Sequence, residues 1–223
     1  MADRSRVIWG WPTQGWMLVG AWTAALVASL ALVIATSGVD EAGLSLSART
    51  AVRFAFIAFL PAFGASALGV FLPSRFTAWL ISRRPYFGVA FAICHFAFLG
   101  TNLIRVWRVY GGDFSALRPP VAWLVGGVMY GFLVAMVVTS FPTPARRVGP
   151  RVWKLIHVTG CYMFLGQFLL SFGMRAMMSP SYIPWAALVV ALIGLRMALV
   201  VRRYHERARS LGTSICRRVC GAD

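Results

Sequence analysis

The sequence predicts an all-α integral membrane protein, a bundle of six transmembrane helices. Of its 223 residues, 59% are hydrophobic and only 13% are charged, and the mean hydropathy is +0.73. Ordinary soluble domains are less apolar and carry more charge than this. The apolar runs are continuous, whereas a membrane β-barrel would show segments of about ten alternating residues. Helices, and not strands, are therefore expected throughout.

Six stretches are long enough to cross a hydrocarbon core, which takes about 20 helical residues. In chain order they are 16–36, 54–74, 85–104, 119–145, 155–174 and 176–201. The first is longer than the apolar core of a signal peptide, so we expect a retained helix. The last contains a single charged residue, Arg196. The chain thus divides into an N-terminal segment (1–15), a transmembrane domain (16–201) and a basic tail (202–223).

The basic residues are distributed unevenly between the two sets of loops. Lys and Arg outnumber Asp and Glu by 22 to 6, for a net charge of +16, which in a soluble chain would indicate nucleic-acid binding. Here fifteen basic residues lie in the termini and the loops on the same side, and six on the other. The positive-inside rule therefore places both termini in the cytoplasm, with the chain in the inner membrane. We expect membrane lipid and partner redox or membrane subunits as its contacts, and no nucleic acid.

Two histidines fall within the predicted spans, where an ionisable side chain is costly and is a functional candidate. His95 follows Arg84 by eleven residues and His157 follows Arg147 by ten. These arginines belong to the pairs Arg83–Arg84 and Arg146–Arg147, and at about 1.5 Å per residue each imidazole should lie about 15 Å from its pair. Because both helices run in the same direction, the two imidazoles should lie at the same depth. Two imidazoles facing each other at matched depth could ligate one b-type haem. The alternative is that each bonds a carbonyl or hydroxyl on a neighbouring helix.

Basic residues near these histidines could meet the haem propionates. Arg84, Arg147, Arg151 and Lys154 are expected at the cytoplasmic boundary, although the topology alone also explains them. Small residues that could admit a flat macrocycle are Ala92, Gly100 and Gly160.

Two stretches resemble the entries to the haem-bearing helices of the ferric-reductase-like transmembrane family. The first is RRPYFGVAFAICH at 83–95 and the second is RRVGPRVWKLIH at 146–157. The resemblance covers about 49–175. It implies a membrane cytochrome b, with one haem b held by His95 and His157, that relays electrons from a cytoplasmic or quinol donor to a partner protein. FMN or quinone is possible, but no motif indicates either.

One departure from that family puts transmembrane electron transfer in doubt. Its members usually carry a second histidine nearly four turns further along one or both helices, where this chain has Arg108 or Val109 and Leu170 or Ser171. The resemblance therefore implies one haem, on the cytoplasmic side. No Gly-x-Gly-x-x-Gly turn is present, so flavin or nicotinamide would belong to another chain. The alternative is a degenerate member that acts as a structural or assembly subunit.

Hydrolytic chemistry is a weaker reading. The predicted spans contain no Asp or Glu, so acid–base work would fall to the two histidines alone. A zinc site needs three or four ligands, and adding Cys94 or Cys161 gives a strained set. Cys216 and Cys220 are expected to be free thiols on the tail.

Five arginines gather toward the outer face against the positive-inside preference. They could cradle an anionic lipid, a quinone headgroup or an acidic partner, but we expect them to extend to water beyond the apolar core. They are Arg49, Arg53, Arg105, Arg108 and Arg175.

Overall fold

The structure, a computed structural model, describes residues 13–219, with side chains except at 13, 14, 142 and 207–219. It is 91% helical, and six helices within this range are long and apolar enough to cross a membrane. The predicted six-span, all-α membrane bundle is confirmed. Arg4, Arg6 and Cys220 lie outside the described residues.

The helices alternate in direction through the bundle. In chain order they are α1 (Thr13–Ser37), α2 (Glu41–Phe71), α3 (Arg75–Arg108), α4 (Phe114–Leu117), α5 (Pro120–Val138), α6 (Pro142–Met178) and α7 (Ile183–Val219), with a 3-10 turn (Pro180–Tyr182) before α7. Because six of them cross, both ends of the described chain lie on one side, here called the terminal side. The opposite side, the far side, carries the α1–α2 turn, α4 and the α6–α7 turn.

Side-chain caps fix the starts of α2 and α3. The Asp40 carboxylate accepts the Gly43 N–H at 2.8 Å, so α2 begins thirteen residues before the predicted span. A capping box begins α3: the Ser74 hydroxyl accepts the Thr77 N–H at 3.2 Å, and Thr77 Oγ1 accepts the Ser74 N–H at 3.0 Å. Each cap satisfies backbone donors that the first turn leaves unpaired.

A glycine breaks α6 near its beginning. Gly149 has φ 76° and ψ 165°, a conformation that L side chains avoid, and the following Pro150 disfavours helical geometry at the residue before it. The helix therefore consists of two pieces, 142–148 and 150–178. The span predicted to begin at 176 is wrong at that end: 176–178 continue α6, and Ser179 is extended. The predicted tail continues α7 as far as Val219.

Phenylalanines form the centre of the bundle, between α2, α3 and α6. The Phe56 ring is fully buried and lies 4.9 Å from the Phe168 ring and 5.1 Å from that of Phe172, centroid to centroid. Phe91 of α3 contacts Phe164 of α6 at 4.9 Å. Lipid tails are as apolar as these side chains, so the hydrophobic effect does not draw membrane helices together. Close packing of this kind stabilises their association instead.

Apolar side chains also cover the outside of the bundle. On α5, Leu124 is 70% exposed and Val121 is 63% exposed. An outward apolar surface on membrane-spanning helices contacts lipid, and this part of the partner prediction is confirmed.

Candidate functional site

His95 lies inside the bundle on α3. Its side chain is buried, and Nδ1 has no hydrogen-bond partner among the described residues. Aromatic rings surround the imidazole with centroid distances of 4.9 to 6.2 Å; they belong to Phe91, Phe98, Tyr130, Phe164 and Phe168. A buried polar nitrogen without a partner is energetically costly, so His95 is the strongest candidate for binding something that is not a protein side chain.

Tyr130 is a contact of His95 that sequence reasoning missed. Its hydroxyl donates to the His95 carbonyl oxygen at 2.9 Å and joins α5 to α3. The single tyrosine in an otherwise apolar α5 was the available signal, because a buried phenol usually finds an acceptor.

His157 lies in a different environment. Its Nε2 is 3.1 Å from the Thr139 hydroxyl, and its ring stacks on Trp153 with centroids 4.3 Å apart. The Trp153 indole N–H donates to the Thr139 carbonyl at 3.0 Å. These three side chains, called the α5–α6 staple, hold the end of α5 against α6. His157 therefore follows the alternative in which an intramembrane histidine bonds a neighbouring helix.

The two histidines do not lie at the same depth. The His95 ring packs on Phe164 and Phe168, which follow His157 by seven and eleven residues on α6. Seven helical residues correspond to about 10 Å, so His157 lies about two turns nearer the terminal side. No contact between the two imidazoles occurs in the described part of the chain.

The predicted equal depth assumed that both arginine pairs mark the edge of the membrane and that a continuous helix joins each pair to its histidine. Neither pair meets both conditions. Arg84 is not at the edge of the bundle: its Nε donates to the Ala62 carbonyl at 2.6 Å and its Nη1 to the Ser66 hydroxyl at 3.0 Å, both on α2. Arg147 is separated from His157 by the break at Gly149, so their sequence separation does not measure depth. Equal counts of residues therefore correspond to unequal distances from the membrane surface.

The other predicted propionate contacts lie outside the bundle. Arg147, Arg151 and Lys154 are exposed on the terminal-side part of α6, whereas Arg84 of α3 is half-buried against α2. Among these four, the structure brings only Arg84 into the interior.

Arg196 is a second interior arginine. It lies within the last predicted span, so it belonged to neither of the two sets of loops whose charges were compared. It donates to the Phe63 carbonyl, and its guanidinium carbon lies 3.9 Å from the centre of the Phe63 ring. Arg84 and Arg196 thus hold the carbonyls of two consecutive residues of α2, and both reach the same turn of that helix.

The structure does not bring the two predicted haem ligands together. His95 offers a buried ring nitrogen, but the Phe164 and Phe168 rings lie against it and His157 is already engaged. Gly160 does not leave free space for a macrocycle, because the Met136 sulfur packs directly over it. Among the side chains that the structure describes, no three or more of His, Cys, Asp or Glu come together as a metal site.

Comparisons with known proteins give no match. Neither a protein-family model nor a curated protein nor a solved structure matches this chain.

Proposed function

We propose that this chain is a membrane-embedded electron-transfer subunit that holds one haem b through His95. The main support for this proposal is Nδ1 of His95, which is buried among aromatic side chains and has no hydrogen-bond partner among the described residues. Imidazole is a common axial ligand of haem iron, and helical bundles often build such sites from inward-facing side chains. The likeness of 83–95 to a haem-helix entry in the ferric-reductase-like family supports the same residue.

The residues around His95 have separable roles in this proposal. Haem supplies a one-electron carrier within the bilayer when bound. Tyr130 fixes the backbone at His95 through its hydrogen bond to the carbonyl. Phe164 and Phe168 pack on the imidazole and would exclude water from it.

The proposed orientation places both termini in the cytoplasm of a cell with the chain in its inner membrane. Fifteen basic residues on the terminal side against six on the far side support it. A cytoplasmic reductant or quinol would then donate electrons, and a partner protein would accept them. The sequence has no Gly-x-Gly-x-x-Gly turn, so the proposal assigns flavin or nicotinamide chemistry to another chain.

Haem content tests the assignment. The full chain purified from haem-replete cells should give one haem per polypeptide in a pyridine haemochrome measurement. His95→Ala should lose it, because the ligand is removed, whereas His157→Ala and the exposed-histidine control His205→Ala should keep it. Loss in both His95→Ala and His157→Ala would show instead that α6 shifts to make His157 the second ligand.

A second candidate function is a structural subunit of a larger membrane complex. It is favoured by the α5–α6 staple, in which His157 has a purely structural partner in Thr139. A colourless, folded wild-type preparation would contradict haem binding and favour this candidate. Its own test is a complex that co-purifies with the chain and survives replacement of both histidines.

A further inference from the structure

Four arginines on the far side turn inward instead of extending to water. They are Arg53, Arg105, Arg118 and Arg175. The guanidinium carbons of Arg53 and Arg175 lie 5.4 and 5.7 Å from the centre of one ring, that of Tyr182. Tyr182 is 8% exposed, and the Arg105 side chain is 12% exposed. The expectation of extension to water is therefore wrong for Arg105, and Arg53 and Arg175 are only partly exposed.

Arg118 is the fourth partly enclosed arginine on this side. It lies in the connection before α5, where its guanidinium packs over the Phe98 ring at 5.9 Å. Burial, followed by repulsion from Arg175 and Arg105, lowers the pKa of Arg118. Like charges held close enough to repel one another are unfavourable unless an anion lies between or beside them.

The carboxylates on this side do not neutralise the group. Glu41 pairs with Arg105. Asp40 caps α2, and Asp113 caps α4 by accepting the Ser115 N–H at 2.8 Å and its hydroxyl at 2.6 Å. Among the described residues, the carboxylates on this side thus pair with one of the four guanidinium groups, that of Arg105.

We propose that Arg53, Arg118 and Arg175 bind the phosphate of an anionic phospholipid at the far-side rim of the bundle. Guanidinium groups present paired N–H donors that match phosphate oxygens. Arg53 keeps a buried Nε with no hydrogen-bond partner among the described residues. This site adjoins that of His95, because Phe98 contacts both Arg118 and the imidazole, but its ligand does not depend on haem.

The surroundings favour a lipid over a soluble phosphate. Apolar side chains next to the arginines stay exposed on the outside of the bundle: Met174 is 64% exposed, Met178 is 86% exposed and Ile183 is 55% exposed. Acyl chains can lie along this surface while the headgroup reaches Arg175. Tyr182 and Trp185, which both pack on Arg53, are the residue types enriched at the membrane–water boundary.

The test measures binding to the full chain in detergent after lipid removal. Phosphatidylglycerol is compared with diacylglycerol, which lacks the phosphate, by native mass spectrometry and by the thermal unfolding midpoint. We expect phosphatidylglycerol alone to bind and to raise the midpoint. Arg118→Gln and Arg175→Gln should each weaken it about tenfold, the loss of one charged hydrogen bond.

Matched controls remove the same charge from the same side. Arg49→Gln and Arg108→Gln replace exposed arginines and should leave the affinity unchanged. Arg118→Lys, which keeps the charge but loses the paired donors, should bind more tightly than Arg118→Gln.

Each outcome has a definite meaning. If inorganic phosphate displaces the lipid with the same dependence on Arg118, phosphate recognition is supported and a soluble source shares the site. The proposal is overturned if diacylglycerol binds as well as phosphatidylglycerol in the wild-type chain, a comparison that needs no variant. It is also overturned if Arg108→Gln weakens binding as much as Arg118→Gln.

Discussion

Phe56→Ala should lower the free energy of unfolding by about 3–5 kcal/mol, the usual cost of removing a buried aromatic ring. Phe56 is fully buried and contacts rings from two other helices, those of Phe168, Phe172 and Trp185. Its removal leaves a cavity and forfeits contacts that join α2 to α6 and α7. In a bilayer these packing contacts are the main attraction between helices. Equilibrium unfolding in mixed detergent micelles measures the change.

Phe76→Ala is the matched control for this substitution. It removes the same ring from α3, but Phe76 is 65% exposed, so the change should stay within about 0.5 kcal/mol. Equal losses for Phe56→Ala and Phe76→Ala would contradict the position of the core between α2, α3 and α6.

Glu41→Gln should cost about 2 kcal/mol, because it leaves the Arg105 guanidinium without its counter-ion. Arg105 reaches Glu41 from another helix, sixty-four residues away in sequence, and is only 12% exposed. The remaining partner of Arg105 is the Asn102 amide oxygen at 3.4 Å, which does not neutralise the charge. Glu41 itself is 43% exposed, which keeps the effect below that of a fully buried pair. The same unfolding measurement applies.

Glu206→Gln provides the comparison for an exposed ion pair. Glu206 pairs with Arg202 one turn away on α7, with side-chain exposures of 61% and 49%. Such a pair contributes at most about 0.5 kcal/mol.

The double variant with Glu41→Gln and Arg105→Met should recover part of the loss caused by Glu41→Gln, because it removes the unpaired charge. A Glu41→Gln effect as small as that of Glu206→Gln would show that Arg105 is solvated.

Composition and the lengths of apolar runs were sufficient to predict six membrane helices. They could not predict where α2 begins, because the charged stretch before Phe54 looks like a loop until the Asp40 cap extends the helix through Arg49 and Arg53. They also missed the extended Ser179, which separates two apolar runs that are almost continuous in sequence. Breaks of this kind depend on local backbone conformation more than on hydropathy.

The candidate site was predicted in part. His95 was identified because a charged or polar group inside a membrane requires an explanation. The structure does not bring His95 and His157 together. Their equal depth was predicted from the number of residues that separate each from an arginine, and the positions of those arginines depend on tertiary contacts. Arg84 reaches inward to the Ala62 carbonyl, and Gly149 interrupts the other count. Conversely, the positions of Arg53 and Arg105 depend on Tyr182 and Glu41, respectively, which are distant from them in sequence.

The α5–α6 staple has a consequence for biogenesis. The Thr139 carbonyl accepts the Trp153 indole N–H, and the Thr139 hydroxyl bonds His157 Nε2. Two successive spans are therefore joined within nineteen residues of chain. Chains emerge N-terminus first during synthesis, and α1, α2 and α3 pack on one another. The α5–α6 hairpin is thus held by contacts close in sequence and can pack as one unit on α1, α2 and α3.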